Sequence, residues 1–300
     1  MILVSGLINI ETTVKIDGFP VAYQPVRYPF FGVNATVSGV GYNVAKALVT
    51  LGGNVRFLSI IGKDLAADMV FAQLQRDHVP TSYIAQEMVE TSRSVILYDD
   101  SGKRMINVDL KDIQQCVYSP ALFDVARQDV DLAVLCNVNF SRSMLALMQA
   151  QGVPIATDVH AISDLESDYD GDFMAAAHIL FMSDELLPCS PEEWIGRIWA
   201  RYNTPVTVVG LGANGALLGI KEHARVVHVP AVQTRPIVNT IGAGDSLFSC
   251  FVHFYARQFD PLDALQRAVV FASYKIGAAG AADGFLDEAA LNRLAGEVYR

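Results

Sequence analysis

The 300-residue sequence holds only four cysteines, Cys116, Cys136, Cys189 and Cys250, and no Cys-x-x-Cys pair. They stand far apart in apolar stretches, so buried free thiols are expected rather than disulfides or zinc ligands. Basic residues are also scarce: 22 Lys and Arg face 32 Asp and Glu, a formal net charge of -10. With no basic footprint, neither nucleic acid nor an anionic membrane is expected as a partner. Apolar runs are interrupted by Gly, Asn or charge before about 18 residues, too short to span a bilayer. The opening MILVSGLINIE has neither a basic leader nor an apolar stretch of signal-peptide length, so a cytoplasmic place is expected. Nor does Gly-Lys-Ser/Thr follow any Gly-rich loop, which excludes a Walker A cradle. A chain this acidic must bind any phosphorylated ligand through a local device.

Hydrophobic residues make up 52% and charged ones 18%, enough for a large globular core in one big α/β domain or two smaller ones. Residues 2–8, 55–61, 132–138, 153–159, 178–183 and 206–210 read as buried strands. Between most of them lie amphipathic stretches such as 64–77 and 140–152. Val44, Ala47, Leu48 and Leu51 recur at helical steps, with Gly52 placed to end that helix. Alternating strands and helices predict a mainly parallel sheet covered on both faces. Two regions, 12–34 and 93–109, alternate like strands without helices and predict a small side sheet or a pair of edge strands. In the second, Asp99 to Lys103 reads as a hairpin turn. From Ala243 onward the chain reads as mostly helical.

Four motifs carry chemistry. GLGANG (Gly210 to Gly215) is a literal Gly-x-Gly-x-x-Gly, but a strand, a turn and another strand follow it. No helix starts there and no acid stands about 20 residues on, so the dinucleotide fingerprint fails. The loop remains either a nucleotide-approaching turn or an ordinary hairpin. In SGVGYNVAKAL (Ser38 to Leu48), Gly39 and Gly41 strip side chains from a helix start that carries Asn43. This is either a place for a polar ligand or a plain loop-helix junction. Asn9 and Glu11, at the end of the first strand, either point the same way where open α/β sheets bind ligands or simply start a loop. In NTIGAGDSLFSCF (Asn239 to Phe251), Gly242, Ala243 and Gly244 offer unhindered N–H groups at a helix start. Asp245 beside them is either a first-turn acid or a base next to an anion cradle.

In this order the four motifs resemble the ribokinase-like sugar kinases, the PfkB carbohydrate kinase family, from Gly6 to about Gly284. The resemblance implies a ribokinase-like three-layer α/β/α sandwich with a mainly parallel sheet and a small β-sheet lid, one domain over 1–300 with the lid at about 12–34 and 93–109. It implies transfer of the γ-phosphoryl group of ATP, with Mg2+, to a hydroxymethyl group of a small carbohydrate. Asp245 would be the base, and the N–H groups of Gly242, Ala243 and Gly244 the anion hole. Asn9, Glu11, Gly39, Val40, Gly41 and Asn43 would hold the sugar. Ser183, Gly210, Leu211, Gly212, Ala213, Asn214, Gly215 and Ser273 would lie along ATP. A nucleoside acceptor, with lid aromatics such as Tyr23, Tyr28, Phe30 and Phe31 stacking on a base or packing on the lid sheet, and a non-catalytic sensor are the alternatives. In this family the lid often doubles as a homodimer interface.

The departures are specific. Glu11 stands where a shorter Asp is usual, Ser38 replaces a Gly, and Val40 often corresponds to Lys. The family's Asn-x-x-Glu element, which helps position magnesium, falls on Ser183 and Leu186, with Asp184 and Glu185 in shifted positions, so the metal ligands stay unknown. Asn239 replaces an Asp that helps bind a monovalent cation in cation-activated members, which argues against potassium activation.

Overall fold

The computed structural model describes residues 1–300. Its strands begin with β1 (Ile2–Ser5), β2 (Asn9–Lys15), β3 (Val33–Ser38), β4 (Val55–Gly62), β5 (Tyr83–Met88), β6 (Arg93–Tyr98) and β7 (Arg104–Asp109). Then come β8 (Leu132–Leu135), β9 (Ile155–Ala161), β10 (Ile179–Ser183), β11 (Val206–Gly210), β12 (Ala216–Ile220) and β13 (Arg225–Val229). The helices are α1 (Val40–Thr50), α2 (Leu65–Arg76), α3 (Pro120–Ala126), α4 (Asn139–Ala150) and α5 (Gly171–Ala176). α6 (Pro191–Tyr202), α7 (Ala243–Tyr255), α8 (Pro261–Lys275) and α9 (Glu288–Val298) complete them.

Nine strands form one sheet in the order β13-β12-β11-β10-β9-β8-β1-β4-β5, parallel except that β12 runs antiparallel to both its neighbours, β11 and β13. Strand alternation sends Val4, Phe57 and Phe181 to one face and Leu3, Leu58 and Leu180 to the other. Helices α1, α2, α7, α8 and α9 cover the first face, and α3 to α6 cover the second. This is a three-layer α/β sandwich.

The remaining four strands make a separate small sheet, β3-β2-β6-β7, so the edge-strand alternative is excluded. Its bounds differ from the expected ones. β2 begins at Asn9 and β3 runs to Ser38, whereas Ile16 to Gly32 form no strand. Pro20, Pro25 and Pro29 fall in that connection, and each lacks the N–H a ladder needs. The 99–103 turn forms as read, with Asp99 Oδ1 accepting the N–H groups of Ser101 and Lys103 at 2.9 and 3.1 Å. Gly52, at φ +83°, ends α1 as expected. Residues 2–8 are not one strand: β1 ends at Ser5, and Gly6 after it gives α1 room to approach, since a Cβ there would sit 2.7 Å from the Gly41 Cα. All four cysteines are free thiols, Cys136 and Cys250 buried, Cys116 and Cys189 half-buried.

Candidate active site

Residues 239–245 turn the chain from a loop into α7. Asn239 Oδ1 accepts the Ile241 N–H at 2.9 Å, and its amide donates to the Ala279 carbonyl at 3.0 Å. Gly242 adopts φ +75°, and a Cβ on it would lie 2.2 Å from the Ala281 carbonyl oxygen. Gly244 faces open space instead. The N–H groups of Gly244 and Asp245 lie in the first helical turn, where no intrahelical acceptor exists. Like the Gly242 N–H, they have no backbone partner. Ala243 differs from expectation: its N–H donates to the Thr240 carbonyl at 3.2 Å, because the turn closes on itself before the helix begins. The helix dipole adds about half a positive charge at this end.

Packing holds that helix start in place. Phe248 and Phe251 are fully buried with ring centroids 4.9 and 5.2 Å from Phe181 of β10. Each such ring stabilises the fold by about 1.5–3 kcal/mol.

Asn43 Nδ2 donates to Asp245 Oδ2 at 2.7 Å, joining two motifs 202 residues apart. Burial holds the Asp245 carboxyl above its ordinary range, and the Asn43 bond opposes that rise. Asn43 is itself buried in the first turn of α1. Helix α1 gets there because Gly39 takes φ +104° and a Cβ on Gly41 would stand 2.4 Å from the Gly6 carbonyl carbon. These two glycines thus let α1 approach the chain's own first strand. Val40 between them packs, half-buried, against the core.

Asn9 and Glu11 open β2 in the small sheet rather than ending β1. Asn9 Nδ2 donates to Ser94 Oγ at 3.1 Å, and Ser38 Oγ donates to Glu11 Oε2 at 3.1 Å. Two of the departures therefore meet: the longer carboxylate reaches the hydroxyl that replaces a glycine. Burial raises the Glu11 carboxyl, the Ser38 bond lowers it, and the Asp245 charge raises it. The Oδ1 atoms of Asn9 and Asn43 are buried with no partner in the chain. Such an orphaned acceptor costs about 1–3 kcal/mol, which a hydroxyl-bearing ligand would relieve.

Farther along the same sheet edge, Ser183 of β10 stands beside Gly210 of β11. Gly212, Ala213 and Asn214 form one exposed 3₁₀ turn, and the Leu211 N–H closes it on the Gly215 carbonyl at 2.8 Å. Gly215, at φ +95°, has no room for a Cβ beside the Val229 carbonyl. Ser273 has its hydroxyl engaged: it donates to the Val232 carbonyl at 2.6 Å and accepts the Thr234 N–H at 3.1 Å. It pins the loop that leads to Asn239. Leu186 and Glu185 are exposed and Asp184 is half-buried. No three His, Cys, Asp or Glu side chains gather closely enough to hold a metal ion among themselves.

The pfkB family carbohydrate kinase pattern matches residues 1–288. The sequence is 31% identical over 303 residues to a ribokinase of Dictyostelium discoideum, covering 92% of this chain and 94% of that protein. The fold is similar to that of a microbiome-derived acarbose kinase, with TM-score 0.89 and 23% identity over 98% of each chain. A Burkholderia thailandensis nucleoside kinase solved with inosine superposes with TM-score 0.83 at 16% identity, over 100% of this chain and 98% of that one. The chain belongs to the pfkB family of carbohydrate kinases.

It is thus a phosphotransferase with an alcohol group as acceptor, on the ribokinase-like α/β fold. Three features of this pfkB kinase's site were not read from sequence. Asp158, buried midway along β9, and His160 two residues on both act electrostatically on the Asp245 carboxyl. Arg104 of β7 donates to Thr240 Oγ1 at 3.0 Å, and Ile96 of β6 packs on Ile241 and Ala281. The small sheet is thereby closed over the Gly242 turn. Lys275, fully buried, donates to the Ile241 carbonyl. In sequence it reads only as a lysine at a helix C-terminus.

Proposed function

We propose that this kinase transfers the γ-phosphoryl group of ATP to a hydroxymethyl group of a small carbohydrate. The observation that carries the reading is the Asn43–Asp245 hydrogen bond, which places a poised carboxylate between polar side chains on one side and free helix-start N–H groups on the other. Asp245 accepts the hydroxyl proton as the sugar oxygen attacks phosphorus and the bond to ADP breaks. The N–H groups of Gly242, Gly244 and Asp245 receive the negative charge on the phosphoryl oxygens. Asn9, Glu11 and Asn43 orient the sugar. The order β1-β8-β9-β10-β11 sets the first strand and the Gly210–Gly215 turn about 19 Å apart, at about 4.8 Å per strand step, room for a nucleoside triphosphate laid along the edge.

Magnesium suits this donor set as an ion that arrives on the phosphates and keeps several waters; Asp158, Asp184 and Glu185 are the carboxylates on this edge that would meet those waters. Its chemistry is to offset phosphate charge. The small sheet acts as a lid within a single domain of residues 1–300, shielding the sugar hydroxyl and ATP from water. No helix is long and apolar enough to cross a membrane, and a cytoplasmic place, where ATP is abundant, fits this role.

A coupled ADP-release screen over pentoses, hexoses, sugar acids and nucleosides tests the reading. A sugar is expected to give the highest kcat/KM. A nucleoside as the best acceptor would replace it with the nucleoside-kinase alternative, and tight sugar binding with no turnover would favour a sensor.

The aromatic loop side chains do not pack on the lid. Tyr23, Tyr28, Phe30 and Phe31 are 75 to 100% exposed. Val33 on β3 and Met105, Ile106 and Val108 on β7 are also exposed, by 44 to 55%, so the small sheet keeps much apolar surface open to solvent. A second copy of the chain is the occupant we assign, since the edge strand β7 lies open for pairing. Wild-type protein is expected to sediment as a dimer at micromolar concentration, and Ile106→Glu as a monomer. A monomeric wild type would overturn this.

A further inference from the structure

Lys275 keeps a charge where charge is costly. A lysine at a helix end ordinarily extends to water and complements the dipole. This one closes α8 with no exposed surface and turns its Nζ to the Ile241 carbonyl, one residue before the Gly242 turn. A buried charge is retained only where it is paired or hydrogen-bonded. The charged groups that face it come from four directions. Asp245 at the start of α7, Asp283 after α8 and Glu11 on β2 favour the ammonium, whereas Arg104 on β7 opposes it.

The neighbouring oxygens are occupied as well. Clustered backbone carbonyls are what a monovalent cation draws on. Here the Ile241 carbonyl accepts from Lys275, and the Ala279 carbonyl accepts from the Asn239 amide. Asn239 is also neutral, where cation-activated relatives carry a carboxylate. The residues of this loop do not fit a bound potassium ion.

We propose that Lys275 is a tethered cation behind the anion cradle: its ammonium holds the Ile241 carbonyl, fixes the turn that aims the Gly242, Gly244 and Asp245 N–H groups, and makes phosphoryl transfer independent of potassium. It is a positioning residue, since it touches the loop and not the reacting atoms. The inference rests on the kinase reading above. It also sets the alkaline side of the pH profile. Burial pushes the Lys275 amine down to about 8, so its charge is present below that pH and lost as pH rises through it. kcat should fall over the same interval.

The test uses Lys275→Met and Lys275→Ala in the full chain, with the best acceptor from the screen. Wild-type kcat is expected to be equal in potassium and in choline. Lys275→Met should lose about 100-fold in kcat with little change in acceptor KM, on the scale of removing one preorganised charge-stabilising donor. Its alkaline limb near pH 8 should vanish. Lys275→Ala should recover about tenfold in methylammonium or potassium, but not in choline, because the cavity then admits a free cation. A readout without turnover accompanies these: the same cations should raise the Tm of Lys275→Ala and leave wild type unmoved, since only the variant has a site for them. The inference is overturned if Lys275→Met keeps kcat within about threefold of wild type, a change too small for a charge-stabilising group. A potassium-dependent wild type overturns it, as does a Lys275→Ala whose Tm ignores both cations. A wild type silent on every acceptor would sink the kinase reading alone, and the Tm comparison would still decide this one.

Discussion

Asp245→Asn is expected to lower kcat by about 10²–10⁴-fold, the range a general base contributes, while Tm and the affinity for ATP stay near wild type. Asparagine matches the carboxylate in shape and still offers an acceptor oxygen to the Asn43 amide, which donates at 2.7 Å. What it removes is the ability to take a proton. Stability should not fall. Burial raises the folded-state carboxyl above its ordinary 3.8, so the favourable, protonated contribution belongs to low pH and is lost as pH rises through the folded value. At neutral pH the charge on Asp245 is a cost, and the neutral amide removes it. The same shift shapes catalysis in wild type: kcat/KM should rise with pH as Asp245 loses its proton and hold steady until the fall set by Lys275 near pH 8. Asn43→Ala deletes the bond that holds the shift down, so its acid limb should move to higher pH. Retention of activity within about tenfold in Asp245→Asn would remove Asp245 from the role of base.

Much of this arrangement is written locally and therefore readable. VTVVG is a buried strand because β-branched residues fill both faces of β11, and GLGANG opens no α-helix because strand-forming residues follow it. Six of the nine large-sheet strands read as buried apolar runs, and β12 and β13 as the two strands that follow GLGANG. The ninth, β5, is an edge strand whose Gln86 and Glu87 face water, so its sequence carries no apolar run to detect. Other features depend on what the fold brings together. Residues 2–8 read as one strand with Asn9 and Glu11 at its end, whereas the fold ends β1 at Ser5 and gives Asn9 and Glu11 to a strand of the small sheet. Glu11 and Ser38 look like two unrelated departures until antiparallel pairing of β2 with β3 sets them side by side. Lys275 lies 34 residues from the carbonyl it holds, and no local pattern announces that contact.

The two glycines of the cradle should respond differently to one added methyl group, and the difference separates folding from chemistry. Gly242→Ala places a Cβ on a residue at φ +75° and 2.2 Å from the Ala281 carbonyl oxygen, so backbone must move. Left-handed strain alone is about 1–2 kcal/mol. For a chain of this size that corresponds to a Tm drop of roughly 2–3 °C before the clash is counted. Because the moving turn carries free N–H donors, kcat should fall about 10²–10³-fold as well. Gly244→Ala meets no atom within 4 Å and sits in an ordinary helical first turn, where alanine is a better helix former than glycine. Its Tm should equal or exceed that of wild type. Helical Cα–Cβ bonds tilt toward the helix N-terminus, so its methyl group would lean toward the end where the phosphoryl oxygens are proposed to lie. Activity should therefore drop without any loss of stability. Thermal unfolding and kcat measured on both variants decide the matter: a stable Gly244→Ala with wild-type kcat would mean that the phosphoryl group does not approach this turn. A Gly242→Ala that unfolds early yet keeps its kcat while folded would mean that the turn serves the fold and not the transition state.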